Sequence, residues 1–380
     1  MKIYKVGGCV RDKLLGIKSL DNDYVVVGAT HEDMLKLKFK PVGKDFPVYL
    51  HPITKEEYAL ARLEKKTNPG HTGFSFIASK NVSLEDDLKR RDITINAIAE
   101  DEAGNLIDPF GGINDLNKKL IRHISDAFIE DPLRVFRVAR FAARFNFIIA
   151  KETLDLMKKI VNNNELTSIS KDRIWLECYK VIATTKSLRF FKILYDIKAL
   201  KYITPELNFL FSNSNLTEQL SKALSFAIID QLTISEKFSI IFYYMWISLP
   251  KEKTTDIKKI IMDTGLDKKT KDLILLLCTV YFQISKFNNL KTLQVFTLIK
   301  KIDYMRKTER YNSLFKIIKI FAICDNLNYI KNNIQLLQNI IKQVSNINYA
   351  KLAKKYPTQI SSEVKNSIIK IIDHTLKNNS

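Results

Sequence analysis

The chain has 380 residues, with 61 Lys and Arg against 41 Asp and Glu, so its formal net charge at pH 7 is +20. This length predicts more than one domain with a buried core, while interrupted apolar runs such as residues 238–249 are too short to span a bilayer. No secretory leader is expected at the N-terminus, and four well-separated cysteines give neither a disulfide framework nor a zinc motif, so we expect a cytoplasmic protein.

The first predicted elements, over residues 2–15, are a strand, a tight turn at Gly7 and Gly8, and a helix. Asp21 and Asp23 begin an apolar β-branched run, and the two-residue period of a strand places both carboxylates on one face. Such a pair suits Mg²⁺ bound to a triphosphate, and glycine amides at a helix start approach phosphates closely. The alternative is a surface turn with solvated aspartates, but the combined motif favours a metal and phosphate site.

The motif Gly7-Gly-Cys-Val-Arg-Asp12 followed by Asp21-x-Asp23 resembles the signature of the class II tRNA nucleotidyltransferases. These are the bacterial CCA-adding enzymes, which share a head domain with bacterial poly(A) polymerases. The resemblance implies catalytic, Mg²⁺-binding roles for Asp21 and Asp23, and contacts from Gly8 and Arg11 to the triphosphate. It also implies tRNA, CTP and ATP as substrates.

The next stretch predicts the rest of a small sheet and a loop. Glu57 is the one candidate for a third metal-binding carboxylate, although an exposed strand glutamate is the alternative. His71 is expected to be a solvated loop residue, since nothing in the sequence pairs with it. The predicted elements, in order, are a helix over 31–37 capped by Thr30, strands over 42–50 and 56–62, and a loop over 65–73.

Residues 84–98 contain Arg90-Arg91-Asp92, which resembles the family's Arg-Arg-Asp motif. The resemblance implies that Arg91 and Asp92 approach the ribose and phosphates of the incoming nucleotide. Without it, a charged helix face would explain these residues. The run Asp108-Pro-Phe-Gly-Gly112 resembles the family's flexible hinge, and its proline and glycines make a swivel physically reasonable.

The most specific block of the sequence covers residues 130–144. Asp131 is predicted to cap a helix that has Pro132 in its first turn. Arginines then follow at spacings of 3, 3 and 4, which places them along one stripe of the helix. A stripe of like charges is favourable only against anions such as a triphosphate or RNA; its members are Arg134, Arg137, Arg140 and Arg144.

Asp131 and Arg134 together predict which bases are accepted. Cytosine and adenine both present an amino donor beside a ring-nitrogen acceptor, so an accepting Asp and a donating Arg fit both. Uracil and guanine present the opposite order, which costs about 1–3 kcal/mol per unsatisfied group. The family's Glu-Asp-x-x-Arg motif, which this block resembles, is taken to replace a template in this way, with Arg137 and Arg140 nearby. The alternative is a simple helix cap with solvent-facing arginines.

The later sequence predicts structure more than chemistry. Residues 171–177 resemble the family's helix that supports the nucleotide pocket, and Arg173 and Glu177 are spaced to pair with each other. No histidine occurs between His123 and His374, so the phosphohydrolase site of some relatives is not expected. The remaining helices are predicted to be a scaffold for tRNA.

Glycine and charge both divide the chain. Ten of eleven glycines lie within residues 1–112, and the 20 basic and 18 acidic residues of 1–125 leave 41 and 23 for the remainder. This basic excess fits RNA phosphates, although compositional drift towards lysine is an alternative.

We therefore predict an α+β protein in three parts, with a mixed-sheet, polymerase-β-like nucleotidyltransferase head. The alternatives to CCA addition are a poly(A) polymerase, an enzyme that adds only CC or only A, and a non-catalytic RNA-binding module. The predicted parts are the head over 1–125, a helical neck with the nucleotide-selecting motif over 126–200, and a helical body and tail over 201–380.

Overall fold

The computed structural model describes residues 1–19, 22–42, 48–66 and 74–378. The chain divides into two compact units, Met1–Ile203 and Thr204–Ser380. The division near residue 203 lies close to the predicted start of the body, while the predicted boundary near residue 125 falls inside the first unit and remains a prediction. Among the described residues, no helix has the length and apolar character needed to cross a membrane.

The first unit begins with a mixed sheet, as the sequence predicted. Its strands are β1 (Lys2–Val6), β2 (Asp23–Val27), β3 (Lys40–Val42), β4 (Val48–Leu50), β5 (Glu57–Leu60), β6 (Arg62–Lys66), β7 (Phe74–Ala78), β8 (Ala99–Glu100), β9 (Leu106–Ile107), β10 (Leu120–Ile121) and β11 (Ile148–Ile149). Within the described chain, seven of them form one sheet in the order β3-β4-β5-β2-β1-β8-β9. The β2–β5 pair is parallel and the pairs that flank it are antiparallel. Separate two-stranded sheets join β6 to β7 and β10 to β11.

The described part of the first unit also contains eight α-helices. Thr30 caps the second of them, because its hydroxyl accepts the amide N–H of Asp33 at 3.3 Å while the Asp33 carboxylate accepts the Thr30 amide at 3.0 Å. This confirms the predicted N-cap. The helices are α1 (Gly8–Leu14), α2 (His31–Lys36), α3 (Leu84–Lys89), α4 (Gly112–Asn117), α5 (Arg134–Phe145), α6 (Lys151–Asn162), α7 (Lys171–Ile182) and α8 (Ser187–Asp196).

Two strand predictions were wrong in their extent. The predicted strand over 42–50 is two strands, because Val42 of β3 pairs antiparallel with Val48 of β4. Residues 43–47 between them lie outside the described part of the chain. The predicted strand over 56–62 ends at Leu60, and Arg62 begins β6 of a different sheet.

The loop predicted over residues 65–73 is described only in part. Lys65 and Lys66 belong to strand β6, which therefore extends into the range predicted as loop. Residues 67–73, including His71, lie outside the described residues.

The segment predicted as a hinge is held by specific contacts. The Asp108 carboxylate accepts the amide N–H groups of Gly112 at 2.7 Å and Ile113 at 2.8 Å, at the start of α4. A Cβ atom on Gly112 would lie 2.3 Å from the carbonyl oxygen of Thr94, so only glycine fits there. The swivel itself remains a prediction.

Helix α5 forms much of the core of the first unit. Its apolar stripe, which includes Val135, Phe136, Val138 and Ala139, is fully buried, and the helix packs against α7 and α8. Because one face of α5 is committed to this core, the arginine stripe is directed towards the side where α1 and the residues after α3 lie.

The described part of the second unit is helical throughout, which confirms the predicted α+β class. Its interior includes an aromatic cluster in which the ring centroid of Tyr243 lies 4.9 Å from that of Tyr281 and 4.7 Å from that of Phe321. The helices are α9 (Leu207–Ser212), α10 (Ser214–Ile229), α11 (Ile234–Ser248), α12 (Lys251–Thr254), α13 (Ile257–Met262), α14 (Lys268–Ser285), α15 (Thr292–Ile302), α16 (Thr308–Cys324), α17 (Asn328–Ser345), α18 (Tyr349–Lys355) and α19 (Ile360–Lys377).

Candidate active site

A cavity of about 980 Å³ lies within the first unit, between the glycine turn before α1, the residues that follow α3, and helices α5 and α7. The structure brings together at this cavity every predicted site residue that it describes. Asp21 lies outside the described residues. The predicted residues that line the cavity are Gly8, Arg11, Asp23, Arg91, Asp92, Asp131, Arg134, Arg137 and Arg140.

The cavity is strongly cationic. Among its described lining residues, nine basic side chains face three carboxylates, those of Asp23, Asp92 and Asp131. A concave surface with this excess of positive charge concentrates anions. The basic residues are Arg11, Arg90, Arg91, Arg134, Arg137, Arg140, Arg144, Arg173 and Lys180.

The turn between β1 and α1 requires glycine at its first position. Gly7 has a φ of +74°, and a Cβ atom there would lie 2.7 Å from Nη1 of Arg91. Arg91 is itself oriented by the Asp87 carboxylate, which accepts from its Nη2 at 3.3 Å. The absence of a side chain at Gly7 therefore keeps the backbone beside Gly8 open to the cavity.

Arg11 is a buried cation held by several partners. Its Nε and Nη2 donate to Oδ1 of Asp12 at 2.8 and 2.6 Å, and its Nη1 donates to the side-chain oxygen of Asn96. The other oxygen of Asp12 accepts from Nη2 of Arg144 at 3.0 Å. Burial lowers the pKa of Arg11, against the opposing effect of Asp12. Asp12 thereby links α1 to the last turn of α5.

Asp92 orients Arg137. Its Oδ2 accepts from Nε of Arg137 at 2.7 Å, and its Oδ1 accepts from the Asn96 amide group and from the Ile93 backbone, each at 3.0 Å. Burial acts to raise the pKa of Asp92, but the charge of Arg137 and these hydrogen bonds outweigh it and hold the pKa at about 2. Asp92 raises the pKa of Arg137 in return. A direct contact of Asp92 with nucleotide remains a prediction.

The four arginines of the stripe each have a different partner. Arg134 donates to the carbonyl oxygens of Ala127 at 2.8 Å and Arg90 at 2.6 Å. Arg140 is paired with Glu177 of α7. Arg134 and Arg140 are both buried, so the solvent-facing alternative is wrong for them. Repulsion along the stripe is relieved because Arg137, Arg140 and Arg144 each meet a carboxylate.

The regular part of α5 begins two residues later than predicted. The helix begins at Arg134, and Asp131 and Pro132 lie in a tight turn before it, where their carbonyl oxygens accept the amides of Arg134 at 3.0 Å and Val135 at 3.1 Å. Asp131 has an extended backbone, and its carboxylate caps the turn that leads into α5, so the predicted capping role is confirmed for this turn. Its Oδ1 accepts the Leu133 amide at 3.2 Å, which fixes the carboxylate relative to this turn.

The pairing predicted for Arg173 was also wrong. Nη2 of Arg173 donates to Oδ2 of Asp131 at 2.9 Å, while Glu177 takes Arg140 and, at 3.6 Å, Lys180. Both oxygens of Asp131 therefore accept a hydrogen bond from the protein. Arg173 and Glu177 are four residues apart on α7, but each pairs with a residue outside that helix. The packing of α7 against α5 makes these longer-range pairs possible.

Sequence reasoning assigned no role to Asn96 and only a supporting one to Arg173. Asn96 connects Arg11 to Asp92, and Arg173 holds Asp131. The available signal for Asn96 was a lone amide within the apolar run Ile93 to Ile98, a pattern typical of a buried polar residue with defined partners.

Asp23 offers a carboxylate at the start of β2, exposed and at the cavity. In the parallel register Asp23 pairs with Glu57 of β5, which places both side chains on the same face of the sheet. Glu57 is not among the described residues that line the cavity, and no described group of three or more His, Cys, Asp or Glu residues forms a metal-binding cluster.

Two family models match the chain. The model described as the poly A polymerase head domain matches residues 3–122, and the model described as a probable RNA and SrmB-binding site of polymerase A matches residues 146–210. The first match covers the sheet, α1 and the residues after α3, and the second begins at the end of α5.

Named relatives extend the similarity to nearly the whole chain. The multifunctional CCA protein of Nitrosomonas eutropha is 56% identical over 211 residues, which is 56% of this chain but only 51% of that protein, about half its length. The CCA-adding enzyme of Buchnera aphidicola subsp. Cinara cedri is 37% identical over 400 aligned positions, which cover 96% of this chain and 95% of that one. The solved structure of the Bacillus stearothermophilus CCA-adding enzyme in complex with CTP shares the fold, with a TM-score of 0.69 and 22% identity over 99% of this chain and 89% of that one. The chain therefore belongs to the family of the bacterial CCA-adding enzymes.

Proposed function

We propose that this chain is a tRNA nucleotidyltransferase that adds C, C and A to the 3′ end of tRNA without a template. CTP and ATP are the nucleotide substrates, and pyrophosphate is released with each addition. The observation that carries the proposal is the anchored carboxylate of Asp131 beside Arg134, in an arginine-lined cavity that also contains Asp23 and the glycine turn. The names of the relatives, CCA-adding enzyme and multifunctional CCA protein, support it.

The choice of base rests on Asp131 and Arg134. Each carboxylate oxygen has capacity for more than one hydrogen bond, so Asp131 can accept an amino group while Arg173 and Leu133 hold it. Arg134 uses two of its donors on backbone carbonyls and has others for a ring nitrogen. A fixed acceptor beside a fixed donor fits the edges of cytosine and adenine and leaves uracil and guanine unsatisfied.

The phosphates of the nucleotide are assigned to the cationic lining of the cavity. Arg91 lies beside Gly7 and Arg11 beside Gly8, so a triphosphate at this turn would meet both side-chain and amide donors. Arg137 and Arg140 are held in place by Asp92 and Glu177, so they add positive charge without losing orientation. Phosphoryl transfer depends chiefly on such positioning and electrostatic stabilisation.

The proposal includes Mg²⁺, with Asp21 and Asp23 as its protein ligands and Glu57 as a candidate third carboxylate. The exposed Asp23 carboxylate at the cavity fits a hard cation that usually takes one or two carboxylates and completes its shell with phosphate oxygens and water. When bound, the ion supplies activation of the primer hydroxyl and neutralisation of the leaving pyrophosphate.

We expect Asp21→Ala or Asp23→Ala to abolish incorporation of both nucleotides while tRNA binding is kept. Retained incorporation would contradict the assignment of these residues as metal ligands.

An extension assay tests the proposal directly. The protein is incubated with tRNA transcripts that lack CCA, or that end in C or CC, and with each nucleoside triphosphate separately. We expect two C additions from CTP, one A addition from ATP onto CC, and none from UTP or GTP. Long A tails without C would indicate a poly(A) polymerase, addition of only CC or only A would indicate a partial enzyme, and no release of pyrophosphate would indicate an RNA-binding module.

The remaining parts of the proposal concern the second unit and location. Residues 204–380 carry 26 Lys and Arg against 14 Asp and Glu, a charge suited to holding tRNA through its phosphates. We also propose a cytoplasmic location, where tRNA is processed and where the free thiols of Cys9, Cys178, Cys278 and Cys324 would stay reduced.

A further inference from the structure

The turn between β4 and β5 contains a glutamate to which the proposed function gives no role. Glu56 immediately precedes β5, and its Oε1 accepts a hydrogen bond from the side-chain amide of Asn22 at 2.9 Å. In the sequence Asn22 stands between Asp21 and Asp23, the two residues that we assign to Mg²⁺. A contact between residues 34 positions apart therefore ends inside the acidic segment of the proposed metal site.

The register of the sheet places this contact on the face opposite to Asp23. Tyr24 of β2 pairs with Tyr58 of β5 in a parallel ladder, and their rings stack with centroids 4.4 Å apart. Asn22 and Glu56 each lie two residues earlier, so they stand opposite each other on the face that carries the two tyrosines. Asp23 belongs to the other face and lines the arginine-rich cavity. The contact therefore supports the acidic segment from the side away from Asp23.

Glu56 is itself fixed by the turn that precedes β5. Its Oε2 accepts from the hydroxyl of Thr54 at 2.9 Å, and Nδ1 of His51 accepts the Thr54 amide N–H at 3.1 Å. The backbone closes the same turn, because the His51 amide donates to the carbonyl oxygen of Glu56 at 2.9 Å. The His51 ring lies edge-on to Phe39, with 5.2 Å between the ring centroids. The carboxylate is therefore connected to the aromatic packing of the sheet.

The surroundings of Glu56 suit a charged carboxylate. Hydrogen bonds from Asn22 and Thr54 lower the pKa of Glu56, and the charge of Lys5 on β1 acts in the same direction. The hydroxyl of Tyr24 also approaches Oε1, at 3.5 Å. Burial, followed by the charge of Glu56, raises the pKa of Tyr24 to about 12, so the phenol remains a donor. An ionised carboxylate is purely an acceptor and can satisfy all three donors at once.

We propose that Glu56 is a positioning residue for the metal site, which acts by holding Asn22 between the two proposed Mg²⁺ ligands; this inference rests on the proposed function. Mg²⁺ demands near-ideal octahedral geometry, so its affinity depends on how closely its ligands are confined. Hydrogen bonds behind the ligands supply this confinement, and their loss typically lowers metal affinity or activity by about 10- to 100-fold. Glu56 therefore contributes to metal binding without contacting the ion.

The test begins with Glu56→Met, which removes both acceptor oxygens, in the full chain. We expect kcat for CTP incorporation to fall by about 10- to 100-fold and the Mg²⁺ concentration for half-maximal rate to rise by a similar factor. The KM for tRNA should stay unchanged. Glu56→Gln keeps one acceptor oxygen and should recover part of both losses. An unchanged Mg²⁺ requirement in Glu56→Met would overturn the proposal, because a merely structural role changes stability alone.

The route through Asn22 is tested by Asn22→Ala. This variant should raise the Mg²⁺ requirement as Glu56→Met does, and the double variant should lose little more, since both changes remove the same contact. A wild-type requirement in Asn22→Ala, or additive losses in the double variant, would overturn the proposal. Thermal unfolding shows whether each variant folds, and Asn22→Ala provides the test alone if Glu56→Met does not fold.

Hydrogen exchange gives a readout that does not depend on catalysis. The peptide that covers residues 19–27 should exchange faster in Glu56→Met and in Asn22→Ala than in wild type, while peptides from α5 stay unchanged. Wild-type exchange in both variants would overturn the proposal. A wild-type protein that adds no nucleotide would instead contradict the proposed function, and the exchange result would stand apart from it.

The matched control is Glu102→Met, in the turn between β8 and β9. Glu102 is exposed, and its charge also acts on Tyr58, but the described residues give it no hydrogen bond to Asn22. We expect a wild-type Mg²⁺ requirement in this variant. If it raises the requirement as much as Glu56→Met does, the proposal is overturned, because the loss of one negative charge near the sheet would explain both results.

Discussion

The contact between Arg173 and Asp131 fixes the orientation of the carboxylate that we propose recognises the base. Asp131 accepts from Arg173 at one carboxylate oxygen and from the Leu133 amide at the other. Rotation of the carboxylate would break both hydrogen bonds, so it presents a single orientation to a bound base. Arginine suits this position because its planar fork is rigid, whereas lysine offers a flexible point charge.

We predict that Arg173→Met lowers kcat/KM for both CTP and ATP by about 10- to 150-fold, because a hydrogen bond to a charged group is worth about 1.5–3 kcal/mol. We also predict a smaller preference for CTP over UTP, since the freed carboxylate can rotate. Single-nucleotide incorporation on tRNA lacking CCA measures both quantities.

Two further variants separate positioning from general structure. Arg173→Lys should recover part of the rate and of the preference, because the charge is kept. Arg122→Met removes an arginine that contacts Asp115 at 3.2 Å and does not belong to the described cavity lining, so stability should change without any change in base preference. A wild-type preference for CTP over UTP in Arg173→Met would contradict the positioning role.

Asp92 predicts a dependence of stability on pH. Its pKa of about 2 in the folded chain is below the ordinary value of about 3.9, so the folded state favours the charged form. The resulting stabilisation is present above about pH 4 and is lost as the pH falls towards 2, and it amounts to about 2 kcal/mol. Urea unfolding of wild type and Asp92→Asn between pH 7 and 3 should show a difference that is constant above pH 5 and shrinks below pH 4.

The exposed Asp155, which lies 4.0 Å from Lys158, provides the control for this pH series. Asp155→Asn should change the free energy of unfolding by less than about 1 kcal/mol, as expected for a surface pair. A difference between wild type and Asp92→Asn that does not vary with pH would mean that Asp92 acts by packing and not by charge.

Among the elements, α5 and α7 are joined by the buried pair of Arg140 and Glu177. Loss of one partner leaves a buried charge without compensation, so we predict that Glu177→Leu destabilises the protein by about 3–5 kcal/mol. The double variant Arg140→Met with Glu177→Leu should recover most of this stability but not the affinity for CTP. Urea unfolding and CTP titration measure the two effects, and recovery of both would show that Arg140 has only a structural role.

The start of α4 gives another prediction at this scale. Gly112→Ala would place a methyl group 2.3 Å from the Thr94 carbonyl oxygen and 2.9 Å from Cγ1 of Ile98, so α4 has to shift, at a cost of about 3 kcal/mol. Gly16→Ala is the control, because Gly16 has a φ of +68° but no atom within 4 Å of the added Cβ, and the backbone strain should cost about 1 kcal/mol. Equal losses in thermal stability would contradict the steric explanation.

The elements that were predicted well are those with local causes. The strand over residues 2–6 follows from its apolar β-branched pattern, and the cap at Thr30 follows from an acceptor three residues away in the chain. The pairs that shape the cavity are not local: Arg173 and Asp131 are 42 residues apart, and Arg137 and Asp92 are 45 apart. An i,i+4 pair on a helix surface is worth only about 0.2–0.5 kcal/mol, so Glu177 pairs with the buried Arg140 and Arg173 with Asp131.

At the scale of the whole molecule, the proposed nucleotide site and the proposed RNA-binding surface lie in different parts of the chain. Every described residue that lines the arginine-rich cavity lies within Met1–Ile203. The part from residue 204 onwards contributes 26 basic residues against 14 acidic ones.

This division predicts the behaviour of the fragment 1–203. Because this unit has its own sheet, its own buried core around α5 and all the described cavity residues, we expect it to fold cooperatively and to bind CTP and ATP with affinities within a few fold of the full chain. Its affinity for tRNA should fall much further, and the salt dependence of tRNA binding should weaken, because the basic residues of the removed unit no longer neutralise phosphates. Circular dichroism, CTP titration and tRNA anisotropy on the fragment measure these three properties. A folded fragment that binds tRNA as tightly as the full chain would place the RNA-binding surface in the first unit, and one that folds but fails to bind CTP would show that the cavity needs residues beyond 203.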